Sequence, residues 1–493
     1  MSKVIIIGSG MGGLVAGNLL ARRGHRVQIF ESHSAPGGYT AGFRRKGFYF
    51  ESGTLSFESS NQVFKAMQEL GLYDRISFTR QVSRWVSEDF DGVLETYQSF
   101  KEMLYGAFPG EQDRLKSYFA ELDKMYDATK VFIYNDKTFP ASLLAYAAGG
   151  LKMAGLYRKY ARVTLDQFTE HFFPQDSKLY RLLSRLGYPE MAAYIIGGAI
   201  ACIFDDYWTV KDGMQSWADI LAENFTRLGG ELFLRSYVDA IITKDGAAVG
   251  VTCNGETYTA DYVISAGDYK KTFLMLLDNK SIVPAPFLKK VQENKVSEGM
   301  ATVYLGLSLS NERLKEYLKV PHVMYMDLAV EVDMNDPGDP DYFKKTGVGL
   351  YAPSLYNPDL APPGKSSLML QNLAPTGWMN NWGGGDKEKY RELKERAAAD
   401  MIDRAAAIIP NLRDYIEFQD AATPLTYERY THNTNGASSA WSWNPQNKFY
   451  DSFLKSYVDT PVKNLYIGSC WSSQIGGVPG AISAAYACAR RIK

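Results

Sequence analysis

The pattern of apolar residues near the N-terminus predicts a strand, a helix and a second strand in close succession. Lys3 to Ile7 forms an apolar run, which is typical of a central parallel strand covered on both faces. Apolar residues then recur at helical spacing from Met11 to Arg23, and Gly24 ends this pattern. The second strand, Arg26 to Phe30, follows at once.

The C-terminal end repeats this arrangement. The apolar strand Leu465 to Ile467 runs into a glycine-rich turn, and an alanine-rich helix begins at about Gly480. We expect the last strand to complete the sheet that begins at Lys3. The two ends of the chain would then build one domain, and the residues between them would be insertions.

The middle of the chain changes character twice. From about Asn61 to Asp206 the pattern is helical, with few strand signals, and Met191 to Phe204 is nearly all apolar. That stretch predicts a helix in the core or, alternatively, the wall of an apolar cavity. After Asp212 the sequence predicts a helix, a Gly-Gly turn and four short strands, with hairpin turns at Gly246 and Asn254.

The loop after the first strand matches the pattern G-x-G-x-x-G of dinucleotide-binding folds. Gly8 permits the tight turn, Gly10 lets the pyrophosphate approach the backbone, and Gly13 lets helix and strand pack closely. The free N–H groups and partial positive charge at the start of the helix attract phosphate. The predicted contact residues of this loop are Gly8, Ser9, Gly10, Met11, Gly12 and Gly13.

Glu31 ends the second strand, where a carboxylate accepts both hydroxyls of an adenosine ribose. It would repel a 2′-phosphate, which argues against NADP. Just beyond it, the glycine pair Gly37-Gly38 suits a backbone that passes close to a second bulky group. Together with the glycine-rich C-terminal turn, this pair points to FAD. The predicted contacts in this segment also include Ser32, Tyr39 and Thr40.

The segment "PGGYTAGFRRKGFYFESG" resembles the flavin amine oxidase superfamily, and within it the branch of phytoene desaturases, carotenoid isomerases and retinol saturases. The segment "TPLTYERYTHNTNGASSAW" resembles the same branch. That branch has a Phe-Asp-x-Gly turn where this chain has Phe50-Glu51-Ser52-Gly53, so a longer carboxylate replaces the aspartate. The resemblance implies that Val238 lies against the adenine.

The resemblance also implies an aspartate after the last strand, whereas this chain has Gly468-Ser469. Serine can still form a hydrogen bond, but the site becomes less anionic, which puts flavin affinity in question. Further along the turn, the backbone N–H groups near Gly477 and Val478 are predicted to approach the isoalloxazine. A helix N-terminus there would stabilise negative charge near N1 and O2 of the reduced ring.

These features predict an α/β fold with a Rossmann-type, amine-oxidase-like FAD-binding domain assembled from separate segments. Residues 1–70, 205–290 and 451–493 are assigned to that domain. Residues 71–204 and 291–450 are assigned to an inserted, mixed α+β substrate-binding domain.

Composition narrows the function. The chain has 493 residues and a net charge of −1, so no overall positive field attracts nucleic acid. Its four cysteines and five histidines have no metal-ligand spacing, and we expect no metal. Neither a signal peptide nor an apolar run long enough to span a membrane is apparent. We therefore expect a cytoplasmic protein.

Residues Phe139 to Val163 are apolar and then basic, which could form an interfacial helix in peripheral contact with a membrane. The alternative is a buried helix with a solvated basic end. Gly149 and Gly150 weaken the pattern of a continuous helix.

A flavin as the only reactive group favours hydride transfer at its N5 atom. By resemblance, the substrate would be a hydrophobic polyene or isoprenoid lipid that is desaturated, saturated or isomerised. His432 is the candidate for a polar catalytic group near the ring. No motif identifies the electron donor or acceptor, since Gly383 to Gly385 follow no strand and form no NADPH site.

Two other functions remain open at this point. The first is a flavin amine oxidase acting on C–N bonds, with Trp441 and Trp443 as possible walls of an amine cage. The second is a non-catalytic binding protein like the GDP-dissociation inhibitors, which keep this fold. The intact dinucleotide pattern and Glu31 argue against the second.

Overall fold

The computed structural model describes residues 1–134, 141–447, 449–450, 455–474 and 476–493. Its strands are β1 (Lys3–Ile7), β2 (Arg26–Phe30), β3 (Gly42–Arg45), β4 (Phe48–Glu51), β5 (Phe78–Arg80), β6 (Ser83–Val86), β7 (Asp91–Leu94), β8 (Trp208–Val210), β9 (Glu231–Phe233), β10 (Val238–Lys244), β11 (Ala247–Cys253), β12 (Glu256–Thr259), β13 (Tyr262–Ser265), β14 (Gly299–Leu307), β15 (His322–Tyr325), β16 (Val348–Tyr351), β17 (Ser366–Ala374), β18 (Ile416–Ala422) and β19 (Leu465–Ile467).

The helices are α1 (Met11–Arg22), α2 (Ser60–Leu70), α3 (Tyr97–Ala107), α4 (Gln112–Tyr134), α5 (Ala141–Tyr160), α6 (Leu165–Glu170), α7 (Lys178–Leu183), α8 (Ala193–Asp205), α9 (Met214–Arg227), α10 (Tyr269–Lys271), α11 (Ala285–Glu293), α12 (Asn311–Leu318), α13 (Tyr342–Lys345), α14 (Trp378–Gly383), α15 (Lys387–Ala405), α16 (Pro424–Thr431) and α17 (Gly477–Arg491). The residues inside α14 have positive φ angles, so this segment is a left-handed turn.

A parallel sheet joins the two ends of the chain. Its strand order is β19-β13-β1-β2-β9 within the described residues. Val4, Ile5 and Ile6 of the central strand β1 are fully buried. Helices α1, α9 and α17 cover the face of Val4 and Ile6, and residues of β10 and β11 cover the face of Ile5. Burial on both faces explains the unbroken apolar run. The predicted α/β fold with a Rossmann-type sheet built from separated segments is confirmed.

A small antiparallel sheet, β10-β11-β12, follows the parallel strand β9. Its hairpins turn at Asp245-Gly246 and Asn254-Gly255, where all four residues have positive φ. The hairpin predictions were therefore right, but the strand number was wrong. Five strands, β9 to β13, lie between Glu231 and Ser265 rather than four, because the three-residue strand β9 is too short to show a pattern of its own.

The larger sheet has the order β18-β14-β17-β16-β15-β6-β7 among the described residues. Strands β6 and β7, together with β5, fall in the region that the sequence predicted to be helical, so that prediction was wrong for residues 78–94. These strands are short, and two of them have distant partners: β5 pairs with β8, and β6 pairs with β15 as well as with the neighbouring β7. A pattern confined to three or four residues does not reveal such pairing.

Helices α3, α4 and α6 to α8 surround a core that includes Phe100, Phe119, Leu122, Ile200 and Phe204. Helix α8 is packed closely against α4, so most of the apolar stretch predicted to be core or cavity wall lies in this core.

Candidate active site

The loop between β1 and α1 is held by contacts that only glycine allows. A Cβ on Gly13 would lie 2.0 Å from the carbonyl oxygen of Gly8, and one on Gly12 would lie 2.0 Å from that of Gly468. A Cβ on Gly10, by contrast, would meet no atom within 4 Å. The side of the loop at Gly10 is therefore the side from which a bulky group can approach.

The first turn of α1 offers donors to such a group. Within the described part of the chain, the N–H groups of Met11, Gly12 and Gly13 have no hydrogen-bond acceptor. Open N–H groups and the positive end of the helix dipole suit a pyrophosphate. The loop thus fits the phosphates of a dinucleotide.

Glu31 is oriented by its neighbours at the end of β2. The Ser9 N–H and Oγ donate to Glu31 Oε2 at 2.8 and 2.7 Å, and the His33 N–H donates to Oε1 at 2.8 Å. The Ser32 hydroxyl also donates to Oε1. Ser9 and Ser32 therefore position the carboxylate predicted to bind ribose, which is a different role from a direct contact with phosphate.

The second glycine pair lies on the first loop. Gly37 forms a β-bridge with Gly10, its N–H donates to the Ser9 carbonyl at 2.9 Å, and its φ is 125°. A Cβ on Gly38 would stand 3.2 Å from the Cα of Gly10. This close approach explains why two glycines occur here.

Tyr39 and Thr40, which follow the glycine pair, are tied to protein groups. Tyr39 donates to the carbonyl of Ala437 at 3.0 Å, and burial raises the pKa of its hydroxyl. The Thr40 hydroxyl donates to the Gly37 carbonyl at 2.7 Å. Their side chains hold the loop in place, and their contact with a cofactor stays a prediction.

The C-terminal turn carries a second set of open donors. Helix α17 begins at Gly477, about one turn earlier than the predicted start at Gly480. Pro479 is compatible with this start, since N–H groups in the first turn of a helix have no acceptor within the helix. In the described residues, the N–H groups of Gly477 and Val478 have no acceptor. Ser469 donates to the carbonyl of Gly267 at 2.7 Å.

Val238 lies close to the segment around Glu31. It is buried at the start of β10 in a cluster with Ile5 and Phe30, and the N–H of nearby Ser236 donates to the Glu31 carbonyl at 2.7 Å. This location is compatible with the predicted contact with adenine, which stays a prediction.

Comparison with known proteins identifies the family. Residues 11–493 match the family described as flavin containing amine oxidoreductase. The chain belongs to this family. It is a flavin-containing oxidoreductase, and the loop at Gly10, the oriented Glu31 and the open donors of α1 fit FAD as its cofactor. A solved structure of wild-type putrescine oxidase has the same fold, with a TM-score of 0.65, 14% identity and coverage of 99% of this chain and 98% of that one.

Curated relatives match this flavoprotein over most of their length. Prolycopene isomerase 2 of an Oncidium hybrid cultivar is 24% identical over 99% of this chain and 83% of its own. All-trans-retinol 13,14-reductase of Danio rerio is 24% identical over 98% and 84%. A 4,4′-diapophytoene desaturase of Methylomonas is 23% identical over 90% and 88%. The predicted resemblance to this branch of the superfamily is confirmed.

His432 lies with residues of the predicted ribose end of the flavoprotein site. It ends α16 with a φ of 57°, and its ring is 5.1 Å from that of Tyr237. Burial and the charge of Lys271 lower the pKa of His432, while the charge of Glu31 opposes this shift. Among the described residues, His432 makes no hydrogen bond or ring contact with the turn before α17, and its role at the flavin ring stays a prediction.

Glu51, the residue that departs from the Phe-Asp-x-Gly pattern, is fully buried. Its carboxyl accepts from the Met214 N–H, at the first residue of α9, at 3.0 Å and from the Tyr49 hydroxyl at 2.7 Å. Burial raises the pKa of Glu51 to about 8. The longer side chain therefore caps α9, which is a structural role.

The two tryptophans proposed as walls of an amine cage have different surroundings. Trp441 is 1% exposed and stacks on Phe449 with ring centroids 4.0 Å apart, so it belongs to the core. Trp443 lies against the C-terminal turn, where a Cβ on Gly476 would be 2.8 Å from its ring. The cage hypothesis is wrong for Trp441.

A carboxyl group that the sequence analysis missed also lies at this turn. Glu58 precedes α2, and its Oε1 atom is 3.6 Å from the position that a Cβ on Gly477 would take. In the sequence "SFESS", an acid just before a helix is typical of a capping residue. Only the tertiary structure brings it to the far end of the chain.

Two further features of the described residues bear on the site. Among their helices, none combines the length and the apolar character that a membrane span requires. Nor do three or more of their histidine, cysteine, aspartate or glutamate side chains come together as a set of metal ligands.

Proposed function

We propose that this flavoprotein changes a carbon–carbon bond of a long apolar polyene, by desaturation, saturation or cis–trans isomerisation. The observation that carries this proposal is the similarity, over nearly the whole chain, to relatives named for reactions of prolycopene, retinol and diapophytoene. Bound FAD supplies hydride transfer at N5. The protein binds the cofactor, aligns the substrate and excludes water.

Residues 71–204 and 291–450 are proposed to form the substrate-binding part. They contain most of the helical core around Phe100 and Ile200 and most of the seven-stranded sheet. The first of these segments contacts the proposed FAD-binding part through the pairing of β5 with β8, and the second through the hydrogen bond from Tyr39 to the Ala437 carbonyl. Residues 1–70, 205–290 and 451–493 are proposed to hold FAD.

The first experiment establishes the reaction class. Purified protein with bound FAD is incubated without oxygen with carotenoid and retinoid substrates, once in its oxidised and once in its reduced form. A gain or loss of two hydrogens by mass spectrometry, or a change of isomer at constant mass by chromatography, is the expected result. Release of ammonia from amines without any change in the polyenes would overturn the proposal in favour of an amine oxidase.

A control variant shows that any conversion depends on the assigned cofactor site. Gly10→Ala removes the space for the pyrophosphate without a clash inside the protein, since a Cβ there meets no atom within 4 Å. This variant is expected to fold, to lose bound FAD and to leave the polyenes unchanged. Conversion by a folded, FAD-free protein would place the activity elsewhere.

We further propose that α5 contacts a membrane surface from which the substrate is drawn. The helix runs through Gly149 and Gly150 without a break, contrary to the expectation that these residues weaken it. Leu151 is 78% exposed, and the basic residues Lys152 and Arg158 are exposed beside it. Residues 139–140 of the predicted interfacial stretch lie outside the described residues.

Sedimentation with vesicles tests this contact. The wild-type protein is expected to pellet with vesicles containing anionic lipid, and Leu151→Asp is expected to reduce the bound fraction severalfold. Leu234→Asp provides a control, because Leu234 is 37% exposed and lies outside α5. Equal binding of all three proteins would contradict the role of α5.

A further inference from the structure

Glu58 is fixed at a point where three separate parts of the chain meet. The residue before it, Phe57, exchanges backbone hydrogen bonds of 2.8 and 2.9 Å with Trp208. The residues after it begin α2, whose Ser60 N–H donates to Asp206 at 2.9 Å. From this position the Glu58 carboxyl reaches to 3.6 Å from the Cβ position at Gly477.

The Glu58 carboxyl is partly buried, and a hydrogen bond from its own N–H group lowers its pKa against the effect of burial. Burial raises the pKa of Glu58, and the nearby charge of Asp206 raises it further. Within the described residues, the Glu58 side chain makes no hydrogen bond and no ion pair with another residue. Part of Glu58 nevertheless remains uncovered by protein atoms. The Glu58 side chain is therefore accessible to a molecule that binds beside the first turn of α17.

The ionisable groups that interact electrostatically with Glu58 are acidic or phenolic. The negative charge of Glu58 contributes to raising the pKa of Tyr188 and of Tyr207. Glu298, whose pKa burial raises to about 7, contributes to the same effect on Tyr188. No cation contributes to the pKa of Glu58 among the described residues. The surroundings therefore stabilise the protonated form of the carboxyl relative to a solvent-exposed glutamate.

Glu51 shows what a purely structural carboxyl looks like in this protein. It is fully buried and also has a raised pKa, but both of its oxygens accept hydrogen bonds, from Met214 and Tyr49. Glu58, by contrast, is partly exposed and makes a hydrogen bond with its own N–H group but with no other described residue. Groups of this kind that are kept next to a cofactor site are candidates for function.

We propose that Glu58 is the catalytic acid–base residue of this flavoprotein, exchanging a proton with a carbon atom of the polyene beside the first turn of α17. This inference rests on the proposed function. The reaction adds or removes a hydride and a proton across a double bond. FAD would account for the hydride, and the proton needs a donor or acceptor beside the substrate.

In the saturating direction, a hydride and a proton are added across one double bond of the polyene. A hydride from the reduced cofactor forms a C–H bond at one carbon, and the π electrons of the double bond move to its neighbour. That neighbouring carbon takes the proton of Glu58 and forms a second C–H bond. The O–H bond of the carboxyl breaks, and its electron pair stays on the carboxylate. The polyene is reduced, the cofactor is oxidised and water restores the proton. Desaturation is the reverse, with the ionised carboxylate taking the proton. In isomerisation the carboxyl adds a proton to one carbon and removes another proton from that carbon, without net electron transfer.

Three FAD-loaded proteins test the role: wild type, Glu58→Gln and Glu51→Gln as a matched change of a buried carboxyl. Reactions are run in deuterated water with the polyene that wild type converts. Wild type and Glu51→Gln are expected to exchange deuterium at one polyene carbon. Glu58→Gln is expected to slow that exchange at least about 100-fold, the usual contribution of a general acid. An unchanged rate in Glu58→Gln would overturn the proposal.

A second measurement does not depend on activity. Ionisation of a carboxyl beside the ring changes the absorption spectrum of bound FAD, so the spectrum of the resting wild-type protein should titrate above the usual range of glutamate. Glu58→Gln should abolish this titration, and Glu58→Asp should keep it. Titration that persists in Glu58→Gln, or equal loss of FAD from both variants, would contradict a catalytic role. Failure of wild type to convert any polyene would instead refute the proposed function.

Discussion

Gly12 at the start of α1 lies directly against the carbonyl group of Gly468 at the end of β19. A Cβ on Gly12 would be 2.0 Å from that oxygen, well inside van der Waals contact. The N-terminal loop and the C-terminal strand are therefore in contact through backbone atoms alone. The cofactor loop depends on a segment at the other end of the chain.

Gly12→Ala and Gly10→Ala should consequently have different effects. Gly12→Ala forces two backbone segments apart and is expected to destabilise the FAD-free protein by about 1–3 kcal/mol. Gly10→Ala meets no protein atom within 4 Å and should leave that stability unchanged while weakening FAD binding. Thermal unfolding and FAD titration of both FAD-free variants distinguish the two effects. Equal stability losses would contradict the assignment of the open side.

Glu31→Gln is expected to weaken FAD binding about tenfold or more, because a neutral amide accepts the ribose hydroxyls less strongly than a carboxylate. The amide oxygen of the introduced glutamine would still accept a hydrogen bond from Ser9, so the protein should still fold. Fluorescence titration with FAD measures the affinity. Glu95→Gln, a change of an exposed acid, serves as the control, and equal affinities for the two variants would argue against ribose binding by Glu31.

The buried carboxyl of Glu51 should make the protein less stable as pH rises. Burial raises its pKa from 4.5 to about 8 in the folded state. Between these values the folded state holds a proton that the unfolded state has lost. The stability associated with that proton is full below about pH 4.5 and is lost as pH rises through about 8.

Glu51→Gln cannot ionise and should remove this part of the pH dependence. Since one pKa unit corresponds to about 1.4 kcal/mol, the difference in unfolding free energy between variant and wild type should shift by up to about 4 kcal/mol, in favour of the variant, from pH 5 to pH 8.5. Chemical denaturation across that range measures it. A pH-independent difference would show that Glu51 is ionised in the folded protein.

His432→Ala distinguishes a role at the nucleotide from a role at the ring. Given its position beside Tyr237 and near Glu31, the variant is expected to bind FAD several-fold more weakly. Once saturated with FAD, it should turn over at the wild-type rate. A large fall in the rate of the FAD-saturated variant would instead support the catalytic role that the sequence suggested for His432.

Local sequence was sufficient for the cofactor site because its parts are close together in the chain. Gly8, Gly10 and Gly13 lie in one short segment, the loop after β1 and the first turn of α1, and Glu31 follows directly after β2. A strand, a tight loop and a helix N-terminus are specified by neighbouring residues, so their pattern can be read directly. Hairpin turns such as Asn254-Gly255 were predictable for the same reason.

Contacts between distant residues were decided only by the tertiary structure. The three- and four-residue strands β5 and β6 are too short to show a period. Their partners β8 and β15 lie more than a hundred residues away, although β6 also pairs with the neighbouring β7. Glu58 looks like an ordinary residue before a helix, yet the fold carries it to Gly477. Spacing along the chain determines local conformation, whereas the burial and neighbours of a side chain depend on how the distant segments pack.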